Sequence, residues 1–231
     1  MREDPGAFGT ACGTRGLTGA PVLLLVRHGE STANAAGLLL GRSDVPLTEL
    51  GLAQARAVRS QLANVTRVVS SPLRRAVDTA EALGLDVPIE VDERWVEVDY
   101  GEHESRPIGE VPADLWRRWR TEPTFRPAGG ETLAEVGRRV GTACDELFGC
   151  SGVGARSEQG DVVVVSHVSP IKAAVAWALG VDDAVVWRLY LATGSLTRIG
   201  WGVDSPVLQA FNVVPQRPEP DGLGNPPAGP S

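Results

Sequence analysis

Two unbroken apolar runs limit this chain more than any other feature. Val22 to Val26 (VLLLV) and Val162 to Val165 (VVVV) show no alternation, so neither suits a sheet with one face in water. Both demand cover on two sides. A weaker run, Arg67 to Ser70 (RVVS), stands between them. Around the runs, apolar residues change to a helical period: Leu52, Ala55, Val58 and Leu62 form one stripe, and Leu133, Val136, Val140, Cys144 and Leu147 another. Thr132 with Glu135 reads as a capping box opening the second of these helices. Ser71 with Pro72, and Ser169 with Pro170, each read as a capping hydroxyl followed by proline at the first helical position. This alternation predicts an α/β fold, a three-layer α/β/α sandwich with a mostly parallel central sheet and helices on both faces.

In such sheets ligands sit beyond the carboxyl ends of the strands. Here those ends carry charge. Arg27 and His28 follow the first run, His167 follows the last, and Arg75 falls in the first turn of the helix after the third. Two guanidinium groups and two imidazoles suit a phosphate, and a helix N-terminus beside them adds positive potential. Arg74 is as basic as Arg75, so position alone does not choose between them. Glu30 reads equally well as a loop carboxylate, and Ser31 and Thr32 as helix caps. The chain has only three histidines, and two of them occupy equivalent strand ends.

A formal net charge of −7 offers no broad basic face, so the anion site must be local. Neither nucleic acid nor an anionic membrane surface is expected as a partner. No apolar run approaches the roughly 20 residues of a membrane span. The first twenty residues lack a signal-peptide core, and a cytoplasmic setting is expected. Cys12, Cys144 and Cys150 are odd in number and form no metal-ligand pattern, so neither a disulfide framework nor a metal is expected. Residues 1–20 (Gly-rich) and 215–231 (Pro/Gly-rich) read as flexible tails around one domain spanning 21–214, with a polar loop at 149–160.

Five blocks in order, LLLVRHGES, SSPLRRAVDTA, WVEVDYGEHE, PAGGETL and VVVVSHVSPIKA, resemble the histidine phosphatase superfamily, also called phosphoglycerate mutase-like, over about residues 21 to 200. The resemblance implies a catalytic role for His28 as the nucleophile that forms a phosphohistidine. Arg27, Arg75 and His167 would hold the phosphoryl oxygens and stabilise the transition state. Arg75, rather than Arg74, matches the family's Arg-Ala-x-x-Thr block. Asn34 matches a phosphate-binding position at which the family varies. Glu97 matches the general acid, with Asp99, Glu102 and Glu104 as rivals close by. Two residues depart from the family pattern: Val168 and Ser105 stand where glycine is usual. The SHVSPIKA form is most like the branch fused to ribonuclease H in some bacteria, and 231 residues leave no room for such a domain here.

Substrate selection is expected between Glu97 and Gly130. There Trp116 and Trp119 are three apart and share a helix face. They either pack against the core or wall a substrate pocket, with Arg117, Arg118 or Arg120 meeting a second anionic group. His103 reads as a loop residue. The leading expectation is a metal-independent phosphomonoester hydrolase of histidine acid phosphatase type, with no cofactor and a small phosphorylated substrate as partner; a homodimer is compatible with the sequence. One alternative is a cofactor-dependent phosphoglycerate mutase, although its longer insertion before the GGE block is missing. The other is a non-catalytic phosphate-binding module, which would lack the nucleophile or an arginine.

Overall fold

The computed structural model describes residues 21–148, 160–202 and 205–216. The N-terminal tail, residues 217–231 of the C-terminal tail, the loop at 149–159, and with them Cys12 and Cys150, lie outside the described residues. Strands β1 (Leu23–Arg27), β2 (Val65–Ser70), β3 (Ile89–Val91), β4 (Asp161–Ser166), β5 (Leu196–Trp201) and β6 (Pro206–Val213) form one sheet in the order β3-β2-β4-β1-β5-β6. The β3–β2, β2–β4 and β4–β1 pairs are parallel, and β1–β5 and β5–β6 are antiparallel. Helices α1 (Thr32–Ala35), α2 (Glu49–Val58), α3 (Arg74–Ala82), α4 (Ala113–Thr121), α5 (Leu133–Leu147) and α6 (Val168–Leu179) complete the described elements, with short 3₁₀ turns between them.

The unbroken runs become the two middle strands, covered on both sides as their composition requires. Leu24, Val26, Val163 and Val165 pack with Val58 at the end of α2 and Ala76 and Ala80 of α3. Leu23, Leu25, Val162 and Val164 pack on the opposite face with Val136 and Val140 of α5 and Ile171 and Ala174 of α6. Burying each Val or Leu contributes roughly 1.5–3 kcal/mol, so uncovering either face would forfeit several such terms. The stripe of α5 holds from Leu133 to Cys144, and Leu147 is only half-buried. Cys144 is a free, buried thiol.

Strand order is what builds the site. The chain runs from β1 through α2 to β2 but leaves a slot between them, which β4 fills much later. Arg27 pairs in register with Ser166, and Ser70 with Val165, so the carboxyl ends of β1, β4 and β2 lie side by side.

Two helix starts differ from the sequence reading. α3 begins at Arg74 with Leu73, which has no side-chain acceptor, as N-cap; the Ser71 hydroxyl meets the Leu73 N–H only at 3.4 Å and lies closer, at 2.7 Å, to a histidine. α6 begins at Val168, which places Ser169 and Pro170 inside its first turn. Its cap is supplied by the distant carboxylate of Glu97.

Candidate active site

His28, the first residue after β1, is 3% exposed. Its Nδ1 lies 2.7 Å from the Gly29 carbonyl oxygen, which can only accept, so Nδ1 carries the proton. Nε2 is left with a lone pair, and the Arg75 Nε–H donates to it at 3.3 Å. Gly29 is itself fixed. Its N–H donates to the Thr79 hydroxyl at 3.1 Å, and that hydroxyl donates to the Arg75 carbonyl. Thr79 therefore ties the histidine loop to the helix that carries Arg75, which gives the Arg-Ala-x-x-Thr spacing a physical meaning.

Arg75 is fully buried. Its NH1 donates to the Ser43 carbonyl at 2.8 Å and its NH2 to the Gly41 carbonyl at 2.6 Å. Glu104 holds that same loop by accepting from the N–H groups of Gly41 and Ser43. Burial lowers the Arg75 pKa to about 10, opposed by Glu97 and Glu104, so it stays a cation at neutral pH. Arg74 points elsewhere: its side chain is 62% exposed and pairs with Asp78.

His167, the first residue after β4, is fully buried, with Nε2 2.7 Å from the Ser71 hydroxyl and its ring centroid 5.0 Å from that of His28. Ser71 is thus a partner of the site that the sequence reading assigned to a helix cap. Burial holds both histidines well below the ordinary imidazole value, with Arg27 and then Arg75 adding to it at His28, and Arg75 foremost at His167. Both rings are neutral near pH 7. Arg27 donates from NH1 to the Leu191 carbonyl at 2.6 Å. Among the described residues, Arg27 Nε and His167 Nδ1 are buried with no hydrogen-bond partner. Such groups cost about 1–3 kcal/mol each when left unmatched. An oxyanion bridging the cluster would satisfy the guanidinium, and His167 as its Nδ1–H tautomer.

Glu97 is 3% exposed and lies across the N-terminus of α6. It accepts from the backbone N–H of Val168 at 3.0 Å, of Ser169 at 3.1 Å and of Val98 at 2.8 Å. Arg139 braces the segment from below through the Arg94 and Glu97 carbonyls. The rivals are committed elsewhere: Asp99 accepts from the Gly101 N–H, Glu104 from the loop at 41–43, and Glu102 is exposed. The N-terminus of α3, expected to present free N–H groups, has its Arg74 N–H taken by Asp44 at 2.7 Å.

Asn34 is not brought into hydrogen-bond contact with the cluster. It sits at the third position of α1, where its Oδ1 accepts from the Ser31 N–H and hydroxyl in a capping box, leaving the Nδ2 donors unassigned. Ser105 has φ +62, a left-handed backbone that favours glycine, which accounts physically for the usual residue there. Its hydroxyl lies 3.1 Å from that of Ser43, beside the Arg75 loop.

Beside the N–H groups that hold Glu97 opens a small cavity of about 50 Å³, walled by Val98, Tyr100, Trp119, Val168, Lys172 and Trp187 among others. Trp119 both packs, at 3% exposed, and lines the cavity, while Trp116 contacts it at 5.3 Å without lining. Arg117, Arg118 and Arg120 are exposed and none lines the cavity; Arg118 stacks over Phe125 at 3.9 Å. His103 packs edge-on against Trp119. Among the described residues no group of three or more His, Cys, Asp or Glu is placed to hold a metal, and no helix is long and apolar enough to cross a membrane.

Comparison with known proteins agrees with this geometry. The chain is 39% identical over 199 residues to the bifunctional protein Rv2228c of Mycobacterium tuberculosis, covering 81% of this chain and 52% of that one. It therefore spans about half the length of the mycobacterial relatives it matches. It is 34% identical over 200 residues to the probable phosphoglycerate mutase GpmB of Yersinia pestis, covering 82% and 89% of the two chains. Among solved structures, a mycobacterial glucosyl-3-phosphoglycerate phosphatase, Rv2419c, complexed with VO3 superposes with a TM-score of 0.75 at 30% identity, over 84% of this chain and all of the other. The model of the histidine phosphatase superfamily, branch 1, matches residues 23–214, and with the two histidines and Arg75 gathered at the ends of β1, β4 and β2, the chain belongs to that superfamily.

Proposed function

We propose that the chain is a phosphomonoester hydrolase that works through a phosphohistidine on His28, without a metal, with residues 21–214 as the catalytic unit. The observation that carries this reading is the hydrogen bond from His28 Nδ1 to the Gly29 carbonyl. It orients the ring and leaves the Nε2 lone pair facing a guanidinium, where a phosphoryl group would be bound. Nε2 attacks phosphorus, a P–N bond forms and the ester P–O bond breaks. Glu97 gives its proton to the departing alkoxide. Arg27, Arg75 and His167 hold the three phosphoryl oxygens as charge gathers on them, while Asn34, a candidate from the family resemblance, would have to turn its unassigned Nδ2 group toward them to add a donor. Water then attacks the phosphohistidine, Glu97 takes its proton, and phosphate leaves with the histidine restored. The names of the relatives support a small phosphorylated metabolite as the substrate class.

The test is turnover of p-nitrophenyl phosphate in EDTA by the wild-type chain and by His28→Ala. Activity is expected in the wild type alone, with acid-labile phosphate trapped on the protein. A requirement for added metal would contradict the mechanism, and equal activity in His28→Ala would move the nucleophile elsewhere. Incubation with 3-phosphoglycerate and 2,3-bisphosphoglycerate separates the mutase reading suggested by the Yersinia relative. No 2-phosphoglycerate is expected, and its formation would replace hydrolysis by transfer.

A further inference from the structure

Lys172 is a half-buried ammonium with no ion pair or hydrogen bond among the described residues. It lies four residues after Val168 and three after Ser169, hence on the same face of α6 as the two residues whose N–H groups hold Glu97. All three line the cavity that opens beside that carboxylate. The rest of the wall is Val98, Tyr100, Trp119, Leu133, Val186 and Trp187, so Lys172 is its one basic residue. The Trp187 Nε1–H, buried and without a partner among the described residues, belongs to the same wall.

If Glu97 protonates the leaving oxygen, the leaving group lies beside that carboxylate, and three residues whose N–H groups hold Glu97, Val98, Val168 and Ser169, also line this cavity. The inference therefore rests on the phosphatase reading above. A half-buried ammonium on an otherwise apolar wall keeps part of its hydration, and an anion seated in the cavity would find in it a partner that no other group of the wall offers. We propose that Lys172 selects substrates whose alcohol portion carries an anionic group, a carboxylate above all, seated against the aromatic wall of Tyr100, Trp119 and Trp187. Burial lowers the Lys172 pKa, opposed by Glu97 and reinforced by Arg27, and an anion in contact would restore what burial removes. The exposed arginines of α4, the candidates for this task in the sequence, are excluded from the cavity wall.

The matched probes are 3-phosphoglycerate and glycerol 3-phosphate, which differ by a carboxylate against a hydroxymethyl group. The wild-type chain is expected to favour the first in kcat/KM by about tenfold or more, the scale of one hydrogen bond to a charged group. Lys172→Met, which keeps the apolar stem, should collapse that ratio through KM, and Lys172→Arg should keep most of it. A wild type without preference, or a ratio unchanged in Lys172→Met, overturns the assignment. Binding separates this outcome from a failure of the phosphatase reading. In a His28→Ala chain the two ligands should differ in dissociation constant by calorimetry, and adding Lys172→Met should bring the two constants together; equal constants before that change would also overturn it.

Discussion

The Gly29 carbonyl decides which nitrogen of His28 carries the proton, and in the proposed mechanism Arg75, bonded to the other nitrogen, marks where the phosphoryl group would sit. Arg74 and Arg75 are indistinguishable by local sequence, and only the family block favours the second. The physical difference is burial: Arg75 is enclosed, with Nε on the His28 lone pair, whereas Arg74 forms a solvated pair with Asp78. Arg75→Ala is therefore expected to lower kcat/KM by about 100-fold or more, since it removes charge stabilisation in a water-poor site. Arg74→Ala loses an exposed pair worth about 0–1 kcal/mol and should stay within about threefold. Steady-state kinetics on the two variants reads the difference, and comparable losses would refute the register. The choice among carboxylates was equally closed to local reading. Glu97, Asp99, Glu102 and Glu104 differ in which backbone N–H groups they meet, and, Val98 apart, those of Glu97 and Glu104 come from 61 to 72 residues away.

Helix starts show where local signals fail. Ser71 and Ser169 carry the residue types of a cap, but a hydroxyl bonds to whatever the fold brings to it. His167 takes the first, and Glu97 caps α6 in place of the second. Thr132 with Glu135, whose partners are three residues apart, is read correctly because the whole motif is local. β3, with three residues, and the antiparallel β5 and β6, with Arg198 and Gln209 interrupting their apolar pattern, had too little periodicity to be read. A contact between elements also fixes the histidine loop. A Cβ on Gly51, in the first turn of α2, would lie 2.1 Å from the Glu30 carbonyl oxygen, and one on Gly29 would lie 2.1 Å from that of Gly51. Gly→Ala in a helix normally gains up to about 1 kcal/mol of propensity. Here the clash is with backbone that has no rotamer to change, and overpacking of this kind costs about 1–3 kcal/mol. Gly51→Ala should thus lower the Tm and, by shifting the loop that orients His28, reduce kcat/KM by about tenfold or more. Gly109→Ala, whose Cβ would meet nothing, is the control and should change neither. A stabilised, fully active Gly51→Ala would show that the loop gives way.

At the scale of the whole molecule, keeping two imidazoles neutral inside a cationic pocket sets the acid limit of the fold. His28 and His167 are held well below their ordinary value, while in the unfolded chain they titrate near 6.5. Below that pH the unfolded chain binds two more protons than the folded one, so stability, complete above about 6.5, is lost as pH falls from there toward the depressed folded values. Each histidine contributes a slope of about 1.4 kcal/mol per pH unit, or roughly 2–3 kcal/mol per unit together. Against a total of about 5–15 kcal/mol, an excursion to pH 5 removes a large share. The carboxylates held low by ion pairs, Glu90 and Asp92 among them, enter only nearer their own unfolded values of about 4, so the window between 6.5 and 5 belongs to the histidines. Urea unfolding followed at half-unit steps should show that slope, and a chain carrying His28→Asn and His167→Asn should be nearly flat over the same range. A wild type equally flat would mean that the rings can be protonated in place, with the Arg27 and Arg75 charges screened from them. Inorganic phosphate should oppose the acid loss, because an anion bound by the same guanidinium groups stabilises only the folded state.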